Sequence, residues 1–182
     1  MRITISGPPG SGKSTACLGL SKALGCRQVM FGQVFRKMAV EKGISVAELG
    51  AMAEKDPSID REIDAAILET AKNSSEIVLE SRLSAHLTKR KSIDAFRIYI
   101  YASPDVRMNR ICSREGDEYD EVCKKTLKRE ESEAKRYMQH YGIDISDLSV
   151  YDLIINTDDL TPDEVVDEIL GALDERNACK GS

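Results

Sequence analysis

Apolar residues along the chain recur with two periods. Short runs rich in β-branched and aromatic residues, Arg2–Ser6, Arg27–Phe31, Ile77–Glu80, Phe96–Ala102 and Leu153–Thr157, read as strands. Between them the apolar positions fall at helical spacing. Cys17, Leu20 and Leu24 place a helix over about Lys13–Leu24, closed by Gly25. Gly32–Asn73 reads as three helical pieces: Gly43 breaks the first, Ser45 caps the second, and Asp56-Pro57 opens the third. Ile59, Ile63, Ala66 and Thr70 give that third piece one buried face. Further helices start near Pro104, cover about Asp120–His140, and run on from Thr161 through Val165, Ile169 and Leu173. Strands alternating with helices predict an α/β fold, a five-stranded parallel sheet flanked by helices.

With 182 residues the chain fits a single domain, 1–182. Two segments exceed what a minimal sheet-and-helix unit needs, Gly32–Asn73 and roughly Ser113–Ile145. Both follow strands, where substrate-handling insertions occur; ordinary packing helices are the alternative. Charge is mixed, 26 basic against 31 acidic residues, net -5, which argues against a nucleic-acid surface. The five cysteines form no CxxC pair, so reduced thiols in a cytosolic protein are expected. The chain starts directly on a strand and holds no apolar run near the ~20 residues of a membrane span. A cytoplasmic monomer without a membrane partner is the expectation.

The chemistry begins at Gly7-Pro8-Pro9-Gly10-Ser11-Gly12-Lys13-Ser14. Glycines let successive N–H groups curl toward triphosphate oxygens, aided by the following helix N-terminus. Lys13 supplies charge to the β- and γ-phosphates, and the Ser14 hydroxyl belongs on Mg²⁺. The motif follows a strand and opens a helix, the context this phosphate loop (P-loop) needs. A three-layer P-loop NTPase fold follows. The Asp-x-x-Gly and Asn-Lys-x-Asp motifs of GTP switches are absent from the chain.

Arginine is the second signal. Arg36 follows strand two and Arg82 follows strand three; Arg107, Arg110 and Arg114 share a helix face, as do Lys125, Arg129 and Arg136. Phosphoryl transfer between phosphates gathers charge on equatorial oxygens, which arginines answer with planar paired donors. A phosphate acceptor, with its second pKa ~6, needs no general base. Acids such as Glu115, Glu130 and Glu133 leave open that single arginines here only decorate a solvated face. Glu80 ends an apolar strand where it could hold a magnesium-bound water, or pair with Lys13 or Arg82.

These features together resemble the nucleoside monophosphate kinases, and among them the short archaeal-type cytidylate kinases. The resemblance runs nearly end to end. It rests on the opening Ile-Ser-Gly-Pro-Pro-Gly-Ser-Gly-Lys-Ser, Gly32-x-x-Phe-Arg36, Asp56-Pro-Ser-Ile-Asp60 through Asp64, and Leu79-Glu-Ser-Arg-Leu83. More particular are Ser132-Glu-Ala-Lys-Arg136-Tyr, Tyr141-Gly-Ile-Asp144 and Tyr151-Asp-Leu-Ile-Ile-Asn156-Thr.

The resemblance implies ATP and Mg²⁺ on Gly7, Pro8, Pro9, Gly10, Ser11, Gly12, Lys13, Ser14 and Thr15, with Ser14 and, through water, Glu80 at the metal. It implies CMP or dCMP as acceptor in a lobe over 32–73 that includes Gly32, and a mobile lid over 113–128 hinged near Gly116. Arg36 and Arg82 would clamp the acceptor phosphate; Arg129 and Arg136 would bridge donor and acceptor, joining Lys13 in catalysis. This chain departs from the family's Glu-Gly-Arg with Glu80-Ser81-Arg82, putting a side chain where backbone approaches substrate. It also lacks the bacterial β-rich insert that reads the base. Asp56, Asp60 and Asp64 stand at successive helical turns, and Asp60 or Asp64 is the expected acceptor for cytosine's amine; surface acids with a helix N-cap at Asp56 are the alternative. Changing the one that reads the base to Asn should narrow the preference for CMP over UMP. Another small-acceptor kinase, or a nucleotide-dependent switch, are the rival readings.

Overall fold

A computed structural model describes residues 1–180. Five strands form one parallel sheet: β1 (Arg2–Ser6), β2 (Arg27–Met30), β3 (Ile77–Glu80), β4 (Phe96–Tyr101) and β5 (Leu153–Asn156), in the order β2-β3-β1-β4-β5. β1 is the middle strand, with Ile3 opposite Val78 on one side and Phe96 on the other. Helices cover both faces, so β1 and β3 are buried on both. One apolar cluster joins Ile3, Ile5, Ile98, Ile100 and Ile155 to Leu20 of α1 (Lys13–Leu24) and Ile169 of α8 (Pro162–Lys180). The chain runs from β1 toward β2 and β3, then crosses back to β4. Carboxyl ends on either side of that reversal open the crevice where α/β sheets take ligands.

The 32–73 segment forms three helices, α2 (Phe31–Glu41), α3 (Val46–Lys55) and α4 (Pro57–Asn73). Ser45 and Glu48 make a reciprocal capping box for α3, and Asp56 accepts the Ser58 N–H at 2.9 Å to cap α4. The lobe has its own small core of Ala39, Leu49, Ala53 and Ile59. Strand two ends at Met30 because Phe31 turns inward to pack on Ile63, Ile67 and Leu83, opening α2. The inner face of α4 is Ile59, Ile63, Ile67 and Ala71, carrying Asp60 and Asp64 with it; Ala66 and Thr70 lie at its margin.

The pattern reading missed α5 (Ser84–Arg90), a seven-residue helix whose first five residues are all buried. Its two polar ends around Ser84 and Lys89 hide the short apolar period. α6 (Pro104–Glu115) and α7 (Tyr119–Tyr141) form a hairpin, Gly116 ending α6 in the left-handed region at φ 75°. The 113–128 segment straddles this turn. It is better anchored than its charge suggests: Met108, Ile111 and Val122 pack with Cys112 and Cys123. No helix among the described residues is long and apolar enough to cross a membrane.

Candidate active site

The phosphate loop leaves β1 at Ser6 and enters α1 at Lys13, at the crevice. Two of its glycines are enforced by crowding as well as by angle. A Cβ on Gly7 (φ 150°) would lie 1.9 Å from the Ile100 carbonyl oxygen, and one on Gly10 (φ 80°) 2.6 Å from that of Arg107. Lys13 is 9 % exposed and donates from Nζ to the Pro8 carbonyl at 2.8 Å, folded over its own loop. Burial lowers its pKa to about 8, partly offset by Glu80. A phosphate arriving there meets an ammonium whose charge water does little to satisfy.

The main pocket opens beside this loop. Pro9, Gly10, Gly12, Lys13, Ser14 and Thr15 form one wall; Gly32 and Arg36 of α2, Asp60 and Asp64 of α4, and Glu80 to Leu83 form others. Arg129 and Arg136 of α7 close it, with Arg110 and Arg114 of α6 at the rim. Every predicted site residue is thus in the pocket wall except Gly7, Pro8 and Ser11. Gly7 and Pro8 lie behind the wall, their carbonyls accepting from Arg82 and Lys13. Ser11 lines a second, smaller cavity across the loop, with Gly12, Thr15, Ala16, Arg110, Thr157, Pro162 and Val165. Arg110 is fastened there, donating to the Thr157 hydroxyl at 2.9 Å and carbonyl at 2.6 Å.

Sequence reasoning missed the residue that organises the arginines. Glu133 is 4 % exposed; its Oε2 accepts from Arg82 Nε at 2.6 Å and its Oε1 from Arg129 Nε at 2.8 Å. Burial opposes its charge, yet Arg82 and Arg129 outweigh that and hold its pKa down to about 2. Only the Nε of each arginine is committed to this carboxylate. The signal was present: Arg129 and Glu133 are four apart and share a helix face. What the pattern lacks is that this face turns inward.

The other arginines divide by partner. Arg136 donates from Nε to Asp60 Oδ2 at 2.9 Å, with both side chains nearly inaccessible, and its guanidinium lies over the Phe35 and Tyr137 rings. Arg36 has no salt bridge or hydrogen bond among the described residues; burial, with Arg129 and Arg114 nearby, lowers its pKa. Glu80 and Glu115 offset this in part without pairing with it among the described residues. Arg107 is spent on structure, bonding the Pro9 carbonyl and Glu130. Lys125 turns outward to Asp117 and Glu121 and does not join Arg129 and Arg136.

Glu80 meets neither Lys13 nor Arg82 in an ion pair among the described residues; Ser14 Oγ donates to its Oε2 at 3.5 Å. Ser81 does not obstruct the site, since its Oγ turns back to accept the Leu83 N–H at 3.2 Å. Of the three aligned aspartates, Asp56 is an exposed cap. Asp60 and Asp64 are buried, and burial raises both pKa values, that of Asp64 to about 6.

Residues 2–159 match the model of the cytidylate kinase-like family. The chain is 49% identical over 158 residues to a cytidylate kinase of Methanothrix thermoacetophila, covering 86% of this chain and 88% of that one. It is 42% identical to a cytidylate kinase of Sulfurisphaera tokodaii over 165 residues, 91% of each. Among solved structures, a gluconokinase from Sinorhizobium meliloti superposes with a TM-score of 0.65 at 18% identity, covering 100% of this chain and 97% of that one. That last likeness concerns the fold.

Proposed function

This chain belongs to the cytidylate kinase-like family, and from that premise we propose how its pocket performs the family's reaction, ATP-dependent phosphorylation of CMP or dCMP. The activity is that of a nucleoside monophosphate kinase. An oxygen of the acceptor phosphate attacks the γ-phosphorus of ATP, the bond from that phosphorus to the β-bridging oxygen breaks, and ADP leaves. The observation that carries the assignment of roles is the junction of the phosphate loop with Arg36, Arg82, Arg129 and Arg136 in one pocket.

The γ-phosphate lies on Gly10–Ser14, and Lys13 exchanges its Pro8 contact for phosphate oxygens. The donor nucleoside extends into the second cavity between Thr15, Arg110 and Pro162, because the two cavities share Gly12, Thr15 and Arg110 as their common wall. The acceptor phosphate meets Arg36 and the Nη2 of Arg82, whose Nε is fixed by Glu133 and whose Nη1 is fixed by the Gly7 carbonyl. Arg129, held by the same carboxylate, reaches the transferring group. Arg136 secures the acceptor lobe through Asp60 and presents charge to the same space.

Among the described residues no cluster of three or more His, Cys, Asp or Glu side chains forms a metal cage. One hydroxyl, Ser14, beside one carboxylate, Glu80, suits Mg²⁺, which keeps several waters and takes its remaining ligands from phosphates. When bound there, Mg²⁺ neutralises the donor phosphates. A monomer in the reducing cytoplasm completes this reading, and the five free thiols suit such a compartment.

Hydrogen exchange in three ligation states tests the division of space. CMP alone should slow amides of α2 and α4, and a non-hydrolysable ATP analogue alone those of 7–16 and 157–165. Only the two together should slow 113–128, as the α6–α7 hairpin closes over both and excludes water. Equal protection of 113–128 in all states would remove the lid. CMP protecting 157–165 instead of α2 would reverse the assignment of the cavities.

A further inference from the structure

The acceptor end of the main pocket holds one polar group that the phosphate chemistry leaves unused. Asp64 is 8 % exposed and lines the pocket, and among the described residues its carboxylate joins no ion pair; its near neighbour is the Tyr141 hydroxyl, a hydrogen-bond donor that offsets in part the rise of its pKa on burial. Asp60, one turn earlier, differs, because Arg136 already occupies its Oδ2. The same pocket is lined by Phe35, Ile63, Leu83 and Tyr137, apolar surfaces suited to the faces of a planar ring. A buried carboxylate without a cationic partner gains from a further donor that a ligand supplies.

Resting on the cytidylate kinase reading, we propose that Asp64, and not Asp60, reads the acceptor base, its carboxylate accepting a hydrogen bond from the exocyclic amine of cytosine. Uracil places a carbonyl oxygen at that position, so two acceptors would face each other across a dry contact. The apolar walls take the ring faces and contribute affinity without choosing between the two pyrimidines. Asp60 serves the lobe, tying α4 to α7 through Arg136. The internal rival for that carboxylate is the Tyr141 hydroxyl, which is buried beside Asp64 and whose own pKa is raised by burial and by hydrogen bonding to the carboxylate.

The test is kcat/KM for CMP and for UMP at saturating ATP in the parent, Asp64→Asn, Asp60→Asn and Tyr141→Phe proteins. In Asp64→Asn the CMP-to-UMP ratio should fall about tenfold or more, because an amide can turn over and serve either base. Asp60→Asn should lower both acceptors together, and Tyr141→Phe should hold the ratio within about twofold, a single lost neutral hydrogen bond bearing on both bases alike. Asp64→Ser repeats the measurement should the Asn variant fail to fold. An active Asp64 variant with the parent ratio overturns the proposal, as does an equal shift of the ratio in Asp60→Asn or Tyr141→Phe. A parent that phosphorylates neither pyrimidine would overturn the activity on which the proposal rests, a separate failure visible before any variant is made.

Discussion

Lys13→Ala should leave a folded protein whose turnover is lower by about 10²–10³-fold, the cost of removing one preorganised charge from a phosphoryl-transfer site. The side chain is almost wholly buried, its pKa is depressed to about 8, and it donates a hydrogen bond to the Pro8 carbonyl of its own loop. Such a group adds little to folding. A lysine whose folded pKa lies below its unfolded value is held in its charged form at some cost at neutral pH. The variant's Tm should therefore stay at or above that of the parent. Turnover within a few-fold of the parent, measured by ADP release with CMP present, would remove the phosphate-cradle assignment. A collapse in Tm would mean that Lys13 is structural.

Glu133→Gln should lower kcat by about 10²-fold, the scale on which misplaced reacting groups cost rate, without raising KM for either nucleotide. The carboxylate holds Arg82 and Arg129 from opposite oxygens at 2.6 and 2.8 Å. Glutamine keeps one acceptor but turns an N–H₂ against the other arginine, so one guanidinium loses its orientation. The pocket also becomes more positive by one charge, which favours anion binding. Rate and affinity thus move apart, a pattern that general loss of structure would not produce. The same residue makes an acid prediction of definite sign. Its pKa is depressed by Arg82 and Arg129, so its contribution to stability is present above the ordinary carboxylate range and is lost as pH falls toward about 2. A kcat within threefold of the parent would show that the two arginines orient without it.

Much of this was legible beforehand, for identifiable reasons. The phosphate loop announces itself because its glycines, lysine and serine are contiguous, and because a strand before and a helix after can be read from local period. The five strands were found for the same reason, β3 and β4 being nearly continuous apolar runs. The capping residues Ser45, Asp56 and Thr161 were legible as local chemistry, and Thr161 does share a reciprocal pair with Glu164. What escaped were relations across the chain. Glu133 looked like one acid among many in a charged helix, and only the approach of Arg82, 51 positions earlier, gives it a role. Asp56, Asp60 and Asp64 were equivalent by period, yet one caps a helix, one pairs with Arg136, and one lines the pocket beside Tyr141. Lys125 aligned with Arg129 and Arg136 by spacing, but its nearer acids draw it outward. The second cavity joins the phosphate loop to Thr157–Val165 across almost the whole sequence, where no motif connects them.

The central claim is tested most directly by an acceptor panel. Purified protein with ATP and Mg²⁺ is offered CMP, dCMP, UMP, AMP, shikimate and gluconate, and ADP formation is followed together with the phosphorylated product. The account predicts ADP and CDP, or dCDP, in equal amounts with CMP or dCMP, weaker use of UMP, and only background with the others. ADP formation at the same rate without any acceptor, or a preference for a non-nucleotide acceptor, would contradict it.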